Sequence, residues 1–159
     1  MPAFSTSRQP GMISRRLATD LSNSFPGSVY IPRGKQSLDE LAQKCESKGR
    51  NVLCVLGESH GNPVSLGMFE ITRGKWNRTG EFKIKAIKTR SDFAKNRQKF
   101  SSISLDISSP EAKRLAQALR LENDSDAELL LRERNGNVSF FAHEKEIGPV
   151  ITIKEAEAK

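Results

Sequence analysis

Two groups of residues in this chain have the types and spacing that chemistry requires. Gly57-Glu58-Ser59-His60-Gly61 fits the G-x-S-x-G pattern of a serine nucleophile held on a sharp turn after a strand. Arg33-Gly34-Lys35 is the other group, in which cations beside Gly34 can hold phosphate by point charge and exposed backbone amides. The nucleophile reading needs a helix directly after the serine, and Asn62-Pro63 leads instead into an alternating stretch. It also needs a later histidine that folds back, and only His143 follows, on a predicted strand with no evident acidic orienting partner. The motif is therefore read as a hairpin turn, and no catalysis is expected. His60 and His143 lack ligand spacing with Cys45 and Cys54, so no metal is expected. Gly34-Lys35-Gln36-Ser37 lacks the upstream glycine of a Walker loop, and no cofactor is expected. For Arg33-Gly34-Lys35 two readings stand: a phosphate cradle ahead of a helix, or an ordinary strand-to-helix turn with solvated bases.

The elements that must position the cations read as follows. Phe4 to Thr6 is a short strand with a hydroxyl-rich exit, and Pro10-Gly11 breaks the chain before a helix. Ile13, Leu17, Leu21 and Phe25 recur every fourth residue and predict one buried stripe, with Arg15, Arg16, Thr19 and Asn23 outside it. Phe25-Pro26-Gly27 ends the helix, and Val29-Tyr30-Ile31 is a second strand, so this β-α-β unit implies parallel strands with their polar exits at one sheet edge. Ser37 with Glu40 is a capping box for a second helix carrying Leu38, Leu41, Ala42 and Cys45. The apolar run at Asn51 to Leu56 predicts a central strand covered on both faces, and Val64 to Thr72 its hairpin partner. Arg73 to Gly80 breaks the periodicity and is read as a boundary.

Beyond it, Phe82, Ile84 and Ala86 alternate with Lys83, Lys85 and Lys88, which predicts a strand with one apolar and one cationic face. Ser91 to Phe100 is read as irregular or one short helix. Ser104 to Ile107 is a strand, and Ser109-Pro110 opens a helix. Ala127 to Arg134, Val138 to Glu144 and Val150 to Ile153 are predicted strands, the first two joined by Asn135-Gly136, a strong hairpin signal. Lys113-Arg114-Leu115-Ala116 echoes Arg15-Arg16-Leu17-Ala18, and Gly136-Asn137-Val138-Ser139 echoes the hairpin at Gly61 to Ser65. The landmarks are closer together in the second half, which would therefore lack one strand-helix segment.

Net charge is +7 with a sequence pI near 9.6, which favours a polyanionic partner over a merely solvated basic surface. The charge is concentrated: residues 73–100 hold ten Lys or Arg against two acids, whereas 101–159 hold eight bases and eleven acids. Aromatics are few, and only Tyr30 and Trp76 are candidate stackers, with Phe69 and Phe140-Phe141 read as core, so recognition through phosphates and RNA shape is expected. Length suits one domain or two joined halves; two isolated cysteines suit a reducing compartment, and no apolar run is long enough to span a membrane. A cytoplasmic monomer is the expectation.

Thr6-Ser7-Arg8, Arg15-Arg16-Leu17-Ala18, Asp20-Leu21, Phe25-Pro26-Gly27-Ser28 and Arg33-Gly34-Lys35-Gln36-Ser37-Leu38 resemble, in order and spacing, the opening of the Brix domain. Gly57 to Pro63 is similar to the family's second recurring segment, and the likeness fades after about Thr72. The resemblance is to the compact archaeal form. It implies an α/β fold of two structurally similar halves, each resembling the anticodon-binding domain of class II aminoacyl-tRNA synthetases, here 1–74 and 81–153 within one Brix-like domain spanning 1–159. It implies a role in ribosome biogenesis and rRNA processing, with rRNA or precursor rRNA and other ribosome-assembly proteins as partners. The family's RNA-binding segment overlaps the first helix and the loop after it, which favours Arg8, Arg15, Arg16, Arg33 and Lys35; the local charge adds Lys83, Lys85 and Lys88. Ser59 departs from the larger basic or polar residue of relatives, so no contact is carried onto that turn. The alternative is a protein-interaction module within an assembly complex.

Overall fold

The computed structural model describes residues 1–90 and 99–155. In chain order the elements are β1 (Pro2–Thr6), α1 (Met12–Ser24), β2 (Val29–Tyr30), α2 (Leu38–Ser47), β3 (Val52–Ser59), β4 (Asn62–Thr72), β5 (Lys75–Lys88), β6 (Ile103–Asp106), α3 (Pro110–Ala118), β7 (Leu129–Arg134), β8 (Asn137–Ala142), β9 (Lys145–Glu146) and β10 (Val150–Glu155). The strands form one sheet in the order β2-β1-β3-β4-β5-β10-β8-β7-β6, with β9 paired to β8. From β1 inward the pairings with β3, β4 and β5 run parallel, antiparallel, antiparallel. From β6 inward, β7, β8 and β10 repeat that sequence, and β5 meets β10 antiparallel at the centre.

Alternation along the strands decides which face each helix covers. Phe4, Cys54, Leu56, Met68, Phe82, Phe140 and Ile151 point to one face and pack with Leu17, Leu21 and Phe25 of the α1 segment and Ala112, Leu115 and Leu119 of the α3 segment. Ala3, Leu53, Phe69 and Ile71 point to the other, where Leu41, Ala42 and Cys45 of α2 cover them. Phe25 stacks on Phe4 at 5.7 Å between ring centroids and meets Phe140 edge-on at 5.4 Å, so the α1–α3 core is continuous across the sheet. Helix starts follow the local chemistry. Ser37 and Glu40 form the expected capping box, and Ser109 accepts from the Ala112 amide with Pro110 in the first turn.

Three expectations change. Ile13 is 42% exposed, because Ser14 takes the inward position in the first turn of α1. The stretch 73–80, read as a break, is a tight turn at Arg73-Gly74 followed by the first part of the fourteen-residue β5. Its periodicity is hidden because Thr79 is an extra residue opposite the Met68–Phe69 step, which shifts the alternation by one. His143 lies in the turn after β8 rather than on a strand. The segment 91–98, read as irregular or a short helix, lies outside the described residues.

Candidate nucleic-acid interface

β1 and β2 run parallel, and the loops leaving them bring Arg8, Arg33 and Lys35 to one edge of the sheet. Arg8 is exposed and donates from Nε to the Gln36 carbonyl at 3.4 Å. Arg33 donates to the same carbonyl at 2.8 Å and, from Nη1, to the Thr6 carbonyl at 3.0 Å. Arg33 is only 8% exposed, and burial together with Arg8 nearby lowers its pKa from the usual guanidinium value. The sequence expectation of a surface contact is corrected here: Arg33 ties the loop after β2 to the end of β1, and its donors are occupied by backbone. Lys35 is exposed on that loop, next to Gly34, whose φ of 55° is the left-handed conformation the turn requires.

Arg15 and Arg16 are both exposed on the first turns of α1. Burial raises the Tyr30 hydroxyl pKa, and the Arg15 charge opposes that rise. α1 packs against β1 and β2, and Arg8 and Lys35 lie on the loops that leave those two strands. Among the described residues none of Arg8, Arg15, Arg16 and Lys35 is in an ion pair.

The helix N-terminus between these cations is already filled. Glu58, at the end of β3, accepts from the Gly11 amide at 2.8 Å and from Ser14 Oγ at 2.6 Å, and the Ser14 and Gly11 bonds lower its pKa. Glu133, at the matching place on β7, accepts from the amides of Ser108, Ser109 and Gly136 at 2.8, 3.0 and 2.8 Å. Burial pushes Glu133 up, but the hydrogen bonds from Ser109, Ser108 and Gly136 outweigh it and hold the carboxyl at about 2. Both carboxylates were missed in the sequence. The signal was there as Glu58-x-x-Gly61-Asn62 and Glu133-x-x-Gly136-Asn137. The turn residues also match: φ is 51° and 80° at His60 and Gly61, and 55° and 83° at Asn135 and Gly136. Ser59 is followed by this turn and β4, not by a helix.

Lys83 and Lys85 are exposed on β5, on the face opposite the one that buries Phe82 and Ile84. This is the face that α2 covers elsewhere in the sheet, so these lysines stand apart from the β1–α1 edge. Lys88 is exposed where β5 pairs with Val150. Trp76 sits on the same side as α2, edge-on to Phe69 at 5.6 Å, and donates to Asp39 Oδ1 at 2.9 Å. Phe140 is fully buried as expected, but Phe141 is only half-buried and carries the Arg132 guanidinium 5.2 Å above its ring. No helix among the described residues is long and apolar enough to cross a membrane.

Known proteins resemble this chain in sequence and in fold. The chain is 33% identical over 90 residues to the Pyrobaculum aerophilum protein named "Probable Brix domain-containing ribosomal biogenesis protein", matching 57% of this chain and 49% of the relative. A Pyrococcus furiosus protein of the same name is 30% identical over 88 residues, which is 55% of this chain and 40% of the relative. A Bos taurus protein named "U3 small nucleolar ribonucleoprotein protein IMP4" is 33% identical over 63 residues, 40% of this chain and 22% of that protein. The chain spans about half or less of the length of the relatives it matches. No family model matches it. The crystal structure of a probable ribosomal biogenesis protein from Aeropyrum pernix K1 superposes with a TM-score of 0.78 at 21% identity, covering 99% of this chain and 97% of that one. An archaeal Imp4-like protein superposes with a TM-score of 0.75 at 19% identity, covering 99% of both. The mixed α/β sheet, with three helices among the described residues, is therefore the fold shared with these two archaeal proteins.

Proposed function

We propose that this chain is a non-enzymatic ribosome-biogenesis factor that binds rRNA or its precursor, alone or with other assembly proteins. The names of its Brix relatives support the process. The observation that carries the RNA reading is four exposed cations without ion pairs among the described residues: Arg8 on the loop after β1, Lys35 on the loop after β2 that Arg33 locks, and Arg15 and Arg16 on the first turns of α1. Such groups bind phosphates and release counterions, so affinity falls with salt in proportion to the phosphates touched.

The same reading takes the fold as two related halves of the anticodon-binding type; the strand pairing favours a division after β5, where it meets β10, over the one at residues 74–81 expected from the sequence. Three features favour it: the repeated order of pairing from β1 and from β6, the paired carboxylates Glu58 and Glu133 at the starts of α1 and α3, and the matched hairpin turns. β2 and α2 then have no counterpart in the second half.

The test is RNA binding as a function of salt. Arg15→Glu with Arg16→Glu should reduce the slope of log K against log salt by about 1.5, for two lost phosphate contacts. Unchanged affinity and slope would refute the assignment. A protein-interaction reading is favoured by one feature, the exposed Met12, Ile13 and Val64 at 60%, 42% and 41%. An assembly that survives ribonuclease and is lost in Ile13→Ser would support it.

A further inference from the structure

The second half of the sheet is covered on one face only. On the side that α2 protects in the first half, α2 reaches only the start of β5, near Trp76, and the described residues place no helix over the rest of β5 from Lys83 or over β10, β8 and β7. Register puts two rows of polar side chains across that bare face. Lys85, Thr152, Asn137 and Arg134 are successive cross-strand partners, one from each of β5, β10, β8 and β7. Beside them Ser65, Lys83 and Lys154 form a second row over β4, β5 and β10. With strands about 4.8 Å apart the longer row spans roughly 14 Å.

The charges are arranged against their own stability. Lys83 and Lys154 are directly opposite, with Cβ atoms about 5 Å apart, a placement that like charges disfavour. Among the described residues Lys83, Lys85 and Lys154 have no ion pair. The acids that share the face stand at its far side: Asp106 accepts from Arg132 and Arg134, and Glu146 accepts from Ser139 Oγ. Glu81 is taken by Arg78.

We propose that this bare face is a binding platform for single-stranded RNA, a second contact separate from the β1–α1 edge. The inference rests on the RNA reading above and deepens it. Lysines alternating with hydroxyl and amide side chains meet phosphates, 2′-hydroxyls and base edges, and the shortage of apolar side chains in the two rows disfavours a protein partner. The Arg132 guanidinium on Phe141 gives a planar surface on which a base can stack.

The experiment is anisotropy titration of the full chain against a labelled oligo(U) of about 12 nucleotides and a labelled RNA hairpin, each over a range of salt. A variant with Lys83→Gln, Lys85→Gln and Lys154→Gln should lose about tenfold or more in oligo(U) affinity and reduce the salt slope by about 2, and should bind the hairpin within about twofold of the parent. The corresponding triple Lys→Arg variant should bind as the parent does, and a melting scan checks folding. Arg15→Glu with Arg16→Glu should weaken the hairpin and leave oligo(U) binding in place. Parental oligo(U) binding by the triple Gln variant overturns the platform. A parent that binds the hairpin and not oligo(U) overturns it while leaving the RNA reading standing; a parent that binds neither removes both. Loss in the Gln variant of a ribonuclease-resistant protein complex, with oligo(U) binding unchanged, makes the face a protein contact and also overturns the proposal.

Discussion

Replacing Glu133 by Gln keeps the volume of the side chain and removes the charge that the amides of Ser108, Ser109 and Gly136 point at. The carboxylate is fully buried in the fold, and its pKa is held at about 2 against an ordinary value of 4.5. At about 1.4 kcal/mol for each pKa unit that depression corresponds to roughly 3 kcal/mol, and the site lies close to the surface at a hairpin, so a cost of about 2–3 kcal/mol is expected at neutral pH. For a chain of this length the loss lowers the melting temperature by about 5–10 °C. The sign with pH follows from the direction of the shift. A carboxyl depressed in the folded state contributes its full stability above the unfolded pKa of 4.5 and loses it as pH falls toward about 2. Urea unfolding of the parent and of Glu133→Gln, followed by circular dichroism at pH 7 and near pH 2.5, should show a gap that closes with acid. An equal gap at both pH values would mean that shape, not charge, holds the start of α3, and would refute the reasoning.

Other perturbations separate structural from binding roles. Arg33→Ala should cost about 2 kcal/mol in urea unfolding, because two backbone carbonyls lose a charged donor, yet leave the salt slope of RNA binding where it was. A changed slope with unchanged stability would return Arg33 to the surface group. The two matched turns should respond differently to a methyl group. A Cβ on Gly61 meets nothing within 4 Å, so Gly61→Ala should cost only the strain of its positive φ, about 1 kcal/mol. A Cβ on Gly136 would lie 2.7 Å from the Ile153 carbonyl, so Gly136→Ala should cost at least about twice as much by the same measurement.

What the sequence made legible was local. Ser37 with Glu40, Ser109-Pro110 and Asn135-Gly136 each specify their own geometry within a few residues, and each took the expected form. The likeness to Brix proteins rested on similar short segments. What stayed hidden depends on partners far along the chain. Glu58 reaches back to Gly11 across β3 and α1, and inside Gly57 to Gly61 it drew less notice than the serine beside it. Arg33 reads as a solvated base in Arg33-Gly34-Lys35, because nothing local says that Thr6 will offer a carbonyl. Lys154 showed nothing unusual until the register set it against Lys83.

The polarity of the bare face follows from the missing helix, but its sign does not. In the first half, β3 runs Val52-Leu53-Cys54-Val55-Leu56 because it is buried on both faces. In the second, Leu129, Leu131 and Glu133 alternate with Leu130, Arg132 and Arg134, as a strand covered on one side must. Exposure alone explains why such positions are largely polar; it does not explain lysine. A face that only needed solvation would set opposite charges across its strands, as Arg132 and Arg134 do with Asp106. At Lys83 and Lys154 the chain does the reverse and sets two lysines directly opposite each other, a pairing that like charges disfavour. An anion that lies between them removes that cost, which is the physical reason to seek the ligand at this pair.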